Sequence, residues 1–261
     1  MEFCFRTGKV KTFYLNLGYI KYSNVERQTN ITIQNNNIMD KKVALIGASG
    51  FVGSAILNEL LNRGYQVEAL VNHPDKIKIT NPNLTVKKVD VSDEKSLEND
   101  LKGFDNVISA YNPGWANPNI YEETLTNYPK ILEAAKKAGV KRLLIVGGAG
   151  TLFVKPGVRL VDTGTLPAEW LPGVKSLGEF YLNTLMPEKD IDWIFFSPAG
   201  NLGDMGAKGP GKRTGVYRLG KDDMIFDKDG NSFISVEDYA KAMVDELAEP
   251  AHHKERFTIG Y

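Results

Sequence analysis

Cysteine is almost absent from this sequence, and histidine is scarce. The single cysteine, Cys4, cannot close an internal disulfide or build a thiolate metal cluster, so the composition fits a reducing cytoplasm. Among the three histidines, His252-His253 are neighbours near the end of the chain and read as solvated; no metal-ligand spacing is recognisable. No run of 18 apolar residues is present to cross a bilayer. The first residues are broken by Arg6, Lys9 and Lys11, which leaves no secretory h-region. Net charge is lacking too. The 32 Lys and Arg balance 32 Asp and Glu, so nothing points to nucleic acid or an anionic membrane. A small-molecule partner remains.

What is there is a chain of 261 residues, 42% apolar and 25% charged, enough for one large α/β domain with a small appendage. Residues 1–39 stand apart: five Lys or Arg against two acids, ending in polar Gln34-Asn35-Asn36-Asn37. They read as a poorly ordered extension. The domain is expected over 40–261.

From residue 42, short apolar runs alternate with helical patterns. Strands are expected at 43–46, 67–71, 84–89, 106–110, 142–146 and 191–196. Helices fit 51–63, 93–101, 119–138, with a kink or restart at Pro129, and 174–186. This alternation predicts a doubly wound, mostly parallel Rossmann sheet of order 3-2-1-4-5-6. The tail changes character. Short strands at 215–219, 224–226 and 232–235 predict a small substrate lobe around 201–235, followed by a helix at 236–247 and a last short strand at 257–259.

The most specific motif is Gly47-Ala48-Ser49-Gly50-Phe51-Val52-Gly53, placed between the first strand and the first helix. A tight turn, close approach of backbone to a diphosphate, and close helix-strand packing each exclude a β-carbon. The helix start then offers free N–H groups to the phosphates. The segment predicts a bound NAD or NADP. At the end of the second strand, where NAD-selective folds place an acid, stand Asn72 and His73, with Lys76 nearby. No carboxylate repels a 2′-phosphate there, so NADP is preferred and NAD is the alternative.

Together with that turn, Asp90-Val91, Ser109-Ala110 and Gly147-Gly148-Ala149-Gly150-Thr151 resemble the atypical short-chain dehydrogenase/reductases over about residues 41–261. Within these, the chain resembles the NAD(P)H-binding group of NADH-flavin reductase-like and biliverdin reductase B-like proteins. Some relatives carry the looser label of NAD-dependent epimerase/dehydratase. The resemblance implies that Asp90 and Val91 border the adenine. Ala110 and Tyr111 would pass under the ribose-nicotinamide half, and Ser197-Pro198-Ala199 would close over the nicotinamide.

One departure bears on the chemistry. The family commonly uses a Ser or Thr after the fifth strand and a Tyr-x-x-x-Lys on the next helix, where the lysine lowers the tyrosine pKa and holds the ribose. Thr151 matches the hydroxyl and Lys175 the lysine, but the tyrosine position is Leu171. Tyr217 and Lys221 repeat the spacing in the strand-rich tail, where it reads as chance. Carbonyl reduction needs a positioned acid; reduction of a flavin-like ring delocalises the charge and needs one less. The expected function is therefore an NAD(P)H-dependent reductase of a flavin-like or other conjugated acceptor. A sugar-nucleotide epimerase or dehydratase and a non-catalytic NADP(H)-binding sensor are the alternatives. Tyr111 and Trp115 are the expected acceptor platform, the loop 152–172 a second wall, and Lys208, Lys212 and Arg213 are solvated charges.

Overall fold

The computed structural model describes residues 41–203 and 213–261. The expected extension at 1–39, together with Lys208, Lys212 and the middle of the lobe, lies outside the described residues.

Strand β1 (Lys42–Ile46) is buried on both faces. It runs parallel to β2 (Gln66–Val71) on one side and to β4 (Asn106–Ser109) on the other. β3 (Leu84–Lys88) extends the sheet beyond β2. β5 (Arg142–Val146) and β8 (Asp192–Ser197) extend it beyond β4. The order 3-2-1-4-5 and the parallel direction agree with the sequence pattern, and β8 supplies the expected sixth strand.

The sheet then grows further than the sequence suggests. β12 (Glu255–Gly260) pairs parallel with β8, and β10 (Arg218–Gly220) closes the edge antiparallel to β12, giving eight strands. The last strand is thus six residues long and internal to the sheet, since Phe257 and Ile259 lie in the core. The expected strand at 224–226 is not formed. Met224 is instead held through its N–H by the Phe153 carbonyl at 2.8 Å. The expected strand at 232–235 shortens to β11 (Phe233–Ile234), which pairs with β9 (Asn201–Leu202). A small hairpin, β6 (Phe153–Lys155) with β7 (Val158–Arg159), lies within the loop after β5.

Helices cover both faces. On one side α1 (Phe51–Asn62) and α5 (Val236–Ala248) bury Ile56, Leu60, Tyr239 and Met243 against Val43, Phe196 and Phe257. On the other, α2 (Glu94–Leu101), α3 (Ile120–Ala138) and α4 (Leu171–Phe180) bury Leu97, Ile131, Leu132 and Phe180 against Ala44, Leu143 and Phe195. α3 runs unbroken through Pro129, so no restart occurs; the ring removes one N–H donor, a loss that packing of the helix outweighs. α4 begins three residues before the expected position because Pro172 sits in its first turn, where the missing N–H costs nothing. It ends in a wider π turn over Tyr181–Leu185.

His252 corrects a second expectation. Its ring stacks on Phe257, 3.9 Å between centroids and 3° between planes, and its Nδ1 lies 2.8 Å from Glu246. Among the described residues, no helix is long and apolar enough to cross a membrane.

Candidate functional site

The strands β1, β2, β4, β5 and β8 all end at one edge of the sheet, and a cleft of about 1100 Å³ opens there. Its floor is the turn between β1 and α1. Gly47 takes φ +78°, a left-handed conformation, and a β-carbon on it would stand 2.5 Å from the Ala110 carbonyl oxygen. Gly53, one turn into α1, is tighter still. A β-carbon there would lie 2.1 Å from the Gly47 carbonyl oxygen. These approaches let α1 start directly at the sheet edge. Gly50 is its N-cap and brings no side-chain cap, and the first turn carries no acid. The N–H groups and the positive end of the helix dipole therefore face the cleft without internal competition.

Gly47, Ser49, Gly50, Phe51 and Val52 all line the cleft. Gly53 does not; it is the packing contact beneath. Asn72, His73 and Lys76 line the end beyond β2, and all three are exposed. Asp90 and Val91 line it beyond β3. Hydrogen bonds from Ser92 hold the Asp90 carboxyl below the usual carboxylate range. Lys130 Nζ donates to the Ser92 carbonyl at 2.9 Å, tying α3 to this end.

Ala110 and Tyr111 line the middle. Tyr111 is fixed from α3: Asn127 Nδ2 donates to its Oη at 2.7 Å, and the Tyr128 hydroxyl donates to its carbonyl at 2.6 Å. The two tyrosine rings meet edge to face, 5.4 Å apart. Burial raises the Tyr111 phenol, and burial also raises that of Tyr128. Neither phenol has the depressed pKa that a proton-transferring tyrosine needs near neutrality.

The far end is formed by Gly148, Ala149, Thr151, Trp115, Trp170, Val174, Leu177, Pro198 and Ala199. Trp115 and Trp170 pair with ring centroids 6.4 Å apart. Ser197 lies beneath this wall, wholly buried, with its Oγ donating to the Gly148 carbonyl at 2.9 Å. Thr151 is buried at the wall, and Arg256 Nη1 donates to its Oγ1 at 2.7 Å. Lys175 is exposed on α4 and does not line the cleft. Glu179, four residues on, accepts a hydrogen bond from Tyr121 at 2.7 Å. Tyr217 donates to Asp245 at 2.6 Å, and neither Tyr217 nor Lys221 lines the cleft.

Sequence reasoning did not find Asn127, Lys130 or Arg256, whereas Trp170 belongs to the loop 152–172 expected as a second wall. The first two are legible only once α3 is known to face the cleft. Arg256 comes 105 residues after its partner Thr151, a separation with no local signature.

The glycine geometry and the uncapped helix start suit a dinucleotide diphosphate. A family model described as NAD(P)H-binding matches residues 47–250. The chain belongs to that NAD(P)H-binding family. This family member is 62% identical to a protein from Bacteroides thetaiotaomicron whose crystal structure is described as that of a "putative epimerase"; the TM-score is 0.79, over 85% of this chain and 97% of that one. It is 33% identical to a "putative NADH-flavin reductase" from Streptococcus pneumoniae TIGR4, with a TM-score of 0.69 over 84% of this chain and 99% of that one. It is 40% identical over 220 residues to the uncharacterized protein YwnB of Bacillus subtilis (strain 168), spanning 84% of this chain and 97% of that protein. The NAD(P)H-binding group read from the motifs is thus the group to which the chain belongs.

Proposed function

We propose that the protein is an NAD(P)H-dependent reductase of a flat, conjugated small molecule of flavin or quinone type. The observation that carries the reading is the far wall of the cleft, where aromatic and aliphatic side chains dominate, together with Leu171 at the sequence position where the family pattern has a tyrosine. Bound NAD(P)H would supply a hydride from nicotinamide C4 to the acceptor while solvent supplies one proton, so that NAD(P)+ and the dihydro-acceptor leave. The chain's own contribution is placement. Gly47 to Val52 hold the diphosphate, Ala110 and Tyr111 support the ribose half, and Pro198 and Ala199 close above the reacting ring.

Arginine only donates, so the Thr151 hydroxyl accepts from Arg256 and keeps its own hydrogen for a ligand oxygen. Lys175 would reach the nicotinamide ribose by extending from the exposed side of α4. Lys175→Ala is expected to weaken cofactor binding, and unchanged binding assigns the residue to the solvated surface. Asn72, His73 and Lys76 favour NADP(H), because they set no carboxylate against a 2′-phosphate. The likeness to the reductase from Streptococcus supports this reading.

The likeness to the Bacteroides protein supports a second reading, a sugar-nucleotide epimerase. That chemistry needs a proton-transferring group at the substrate hydroxyl, whereas Leu171 stands at the tyrosine position of the sequence and the Tyr111 and Tyr128 phenols that line the cleft are held protonated by burial. The test is oxidation of NADPH and NADH by purified protein with riboflavin, FMN, a quinone and a set of nucleotide sugars. Oxidation with a flavin or quinone is expected. Tight cofactor binding without oxidation by any of them would instead make the protein a non-catalytic dinucleotide sensor.

A further inference from the structure

Charge is segregated along the cleft. Among the described lining residues, the lysines are Lys76, beyond β2, and Lys130, tied to Ser92 beyond β3. Both belong to the end expected to hold the adenosine. The opposite end carries Glu122 and Glu123 in the first turn of α3. Two contacts place that turn beside the aromatic wall. Ile120 and Trp115 both press on Gly173 of α4, where a β-carbon would meet them at 2.7 and 2.9 Å. Glu123 also precedes Asn127 by one helical turn, and Asn127 holds the Tyr111 hydroxyl. Arg256 lies behind Thr151 and is paired with Asp222, and Lys175, exposed on α4 outside the cleft lining, is committed to the nicotinamide ribose in the reductase reading. The far end therefore joins an aromatic surface, Trp115 with Trp170 at 6.4 Å, to a net negative rim.

We propose that this end selects uncharged flat acceptors and discriminates against phosphorylated ones, so that riboflavin is taken in preference to FMN. The inference rests on the reductase reading for its acceptor class. The aromatic faces stack on an isoalloxazine ring regardless of its tail. A terminal phosphate carries nearly two negative charges and would have to sit near Glu122 and Glu123 with no lysine or arginine among the described lining residues of that end to meet it. Glu123 is half-buried, so its field is less screened than that of exposed Glu122. The expected discrimination is about five- to tenfold at low ionic strength.

The experiment is flavin fluorescence anisotropy with the full chain, titrated against riboflavin and against FMN, with no reduced nicotinamide present. Riboflavin is expected to bind about fivefold or more tightly at about 20 mM salt, and the ratio should shrink toward one at about 0.5 M. Glu122→Gln with Glu123→Gln should abolish the ratio by strengthening FMN binding alone. Trp115→Ala and Trp170→Ala should weaken both flavins equally. Equal or tighter binding of FMN at low salt overturns the proposal, as does a ratio unmoved by the glutamine pair or binding of neither flavin. If the acids serve only the helix dipole, the glutamine pair will lower the melting temperature and leave the ratio as it was, which also overturns it. Binding with the expected ratio but no oxidation of NADPH would sustain the charge selection and sink the reductase reading.

Discussion

Arg256 Nη1 donates to both the carbonyl and the Oγ1 of Thr151, at 3.0 and 2.7 Å. The guanidinium is itself paired with Asp222 and lies over the Tyr181 ring, 5.0 Å from its centroid. One buried cation thus fixes the turn after β5 to the strand at the far end of the sequence. Arg256→Met should remove these bonds while keeping most of the side-chain volume. The expected loss is about 1–3 kcal/mol, or a melting temperature lower by roughly 3–8 °C. Differential scanning calorimetry checks this; a change within about 1 °C would show that the turn is held by packing alone.

Lys76 is the lysine beyond β2 among the described cleft-lining residues. If it meets the 2′-phosphate, Lys76→Glu should weaken NADPH binding by about tenfold at low salt and leave NADH binding nearly unchanged. Equal effects on the two dinucleotides would place the adenosine phosphate elsewhere.

Asp238 collects four hydrogen bonds. Thr214 donates from its N–H at 2.9 Å and its hydroxyl at 2.6 Å, Gly215 from its N–H at 2.8 Å, and Tyr261 from its hydroxyl at 2.6 Å. Burial opposes the charge, yet these donors hold the carboxyl below the usual carboxylate range. Asp245 is held at about 2 against the same opposition by Lys241, Tyr217 and Arg63. A carboxylate whose folded pKa is depressed stabilises the fold above its unfolded value, near about 3.9, and that contribution drains away as the pH falls toward the folded value. The urea midpoint should therefore drop between about pH 4 and pH 2. Asp238→Asn turns an acceptor into a donor facing donors and should cost about 2–3 kcal/mol at pH 7. It should also make the acid slope shallower. An unchanged slope would remove Asp238 from this account.

The part of the fold that was legible in the sequence is the part made by local rules. β1, the glycine turn and α1 occupy one continuous stretch, and each glycine answers a contact within that stretch or just across β4. The parallel order followed because buried apolar runs alternate with amphipathic helices. The tail was not legible for the opposite reason. β11 is two residues long and owes its existence to β9, 32 residues earlier in register, and among the described strands β10 pairs with β12 alone. Strands this short take their conformation from the neighbour, not from their own propensity. Pro172 was read as loop because proline usually breaks helices, whereas the first turn tolerates it. His252 was read as solvated because nothing local announces a stack on Phe257.

The site divides in the same way. The diphosphate turn is a motif of seven residues and could be read directly. The far wall is assembled from Trp115, Thr151, Trp170 and Pro198, which come from the separate connections after β4, β5 and β8. Their composition was visible, but their meeting was not. Glu122 and Glu123 are acids in the first turn of a helix, a common pattern, and their place on the cleft follows only from α3 opening onto it.

The account stands on the seat between β1 and α1, and Gly53→Ala tests it most directly. A methyl group there must displace the Gly47 carbonyl, now 2.1 Å from the position the new carbon would take, and with it the N–H groups that face the diphosphate. Calorimetric titration with NADPH should give one site per chain for the native protein and at least tenfold weaker binding for the variant. Native protein that takes up neither NADPH nor NADH, or a variant that binds as tightly as the native chain, would contradict it.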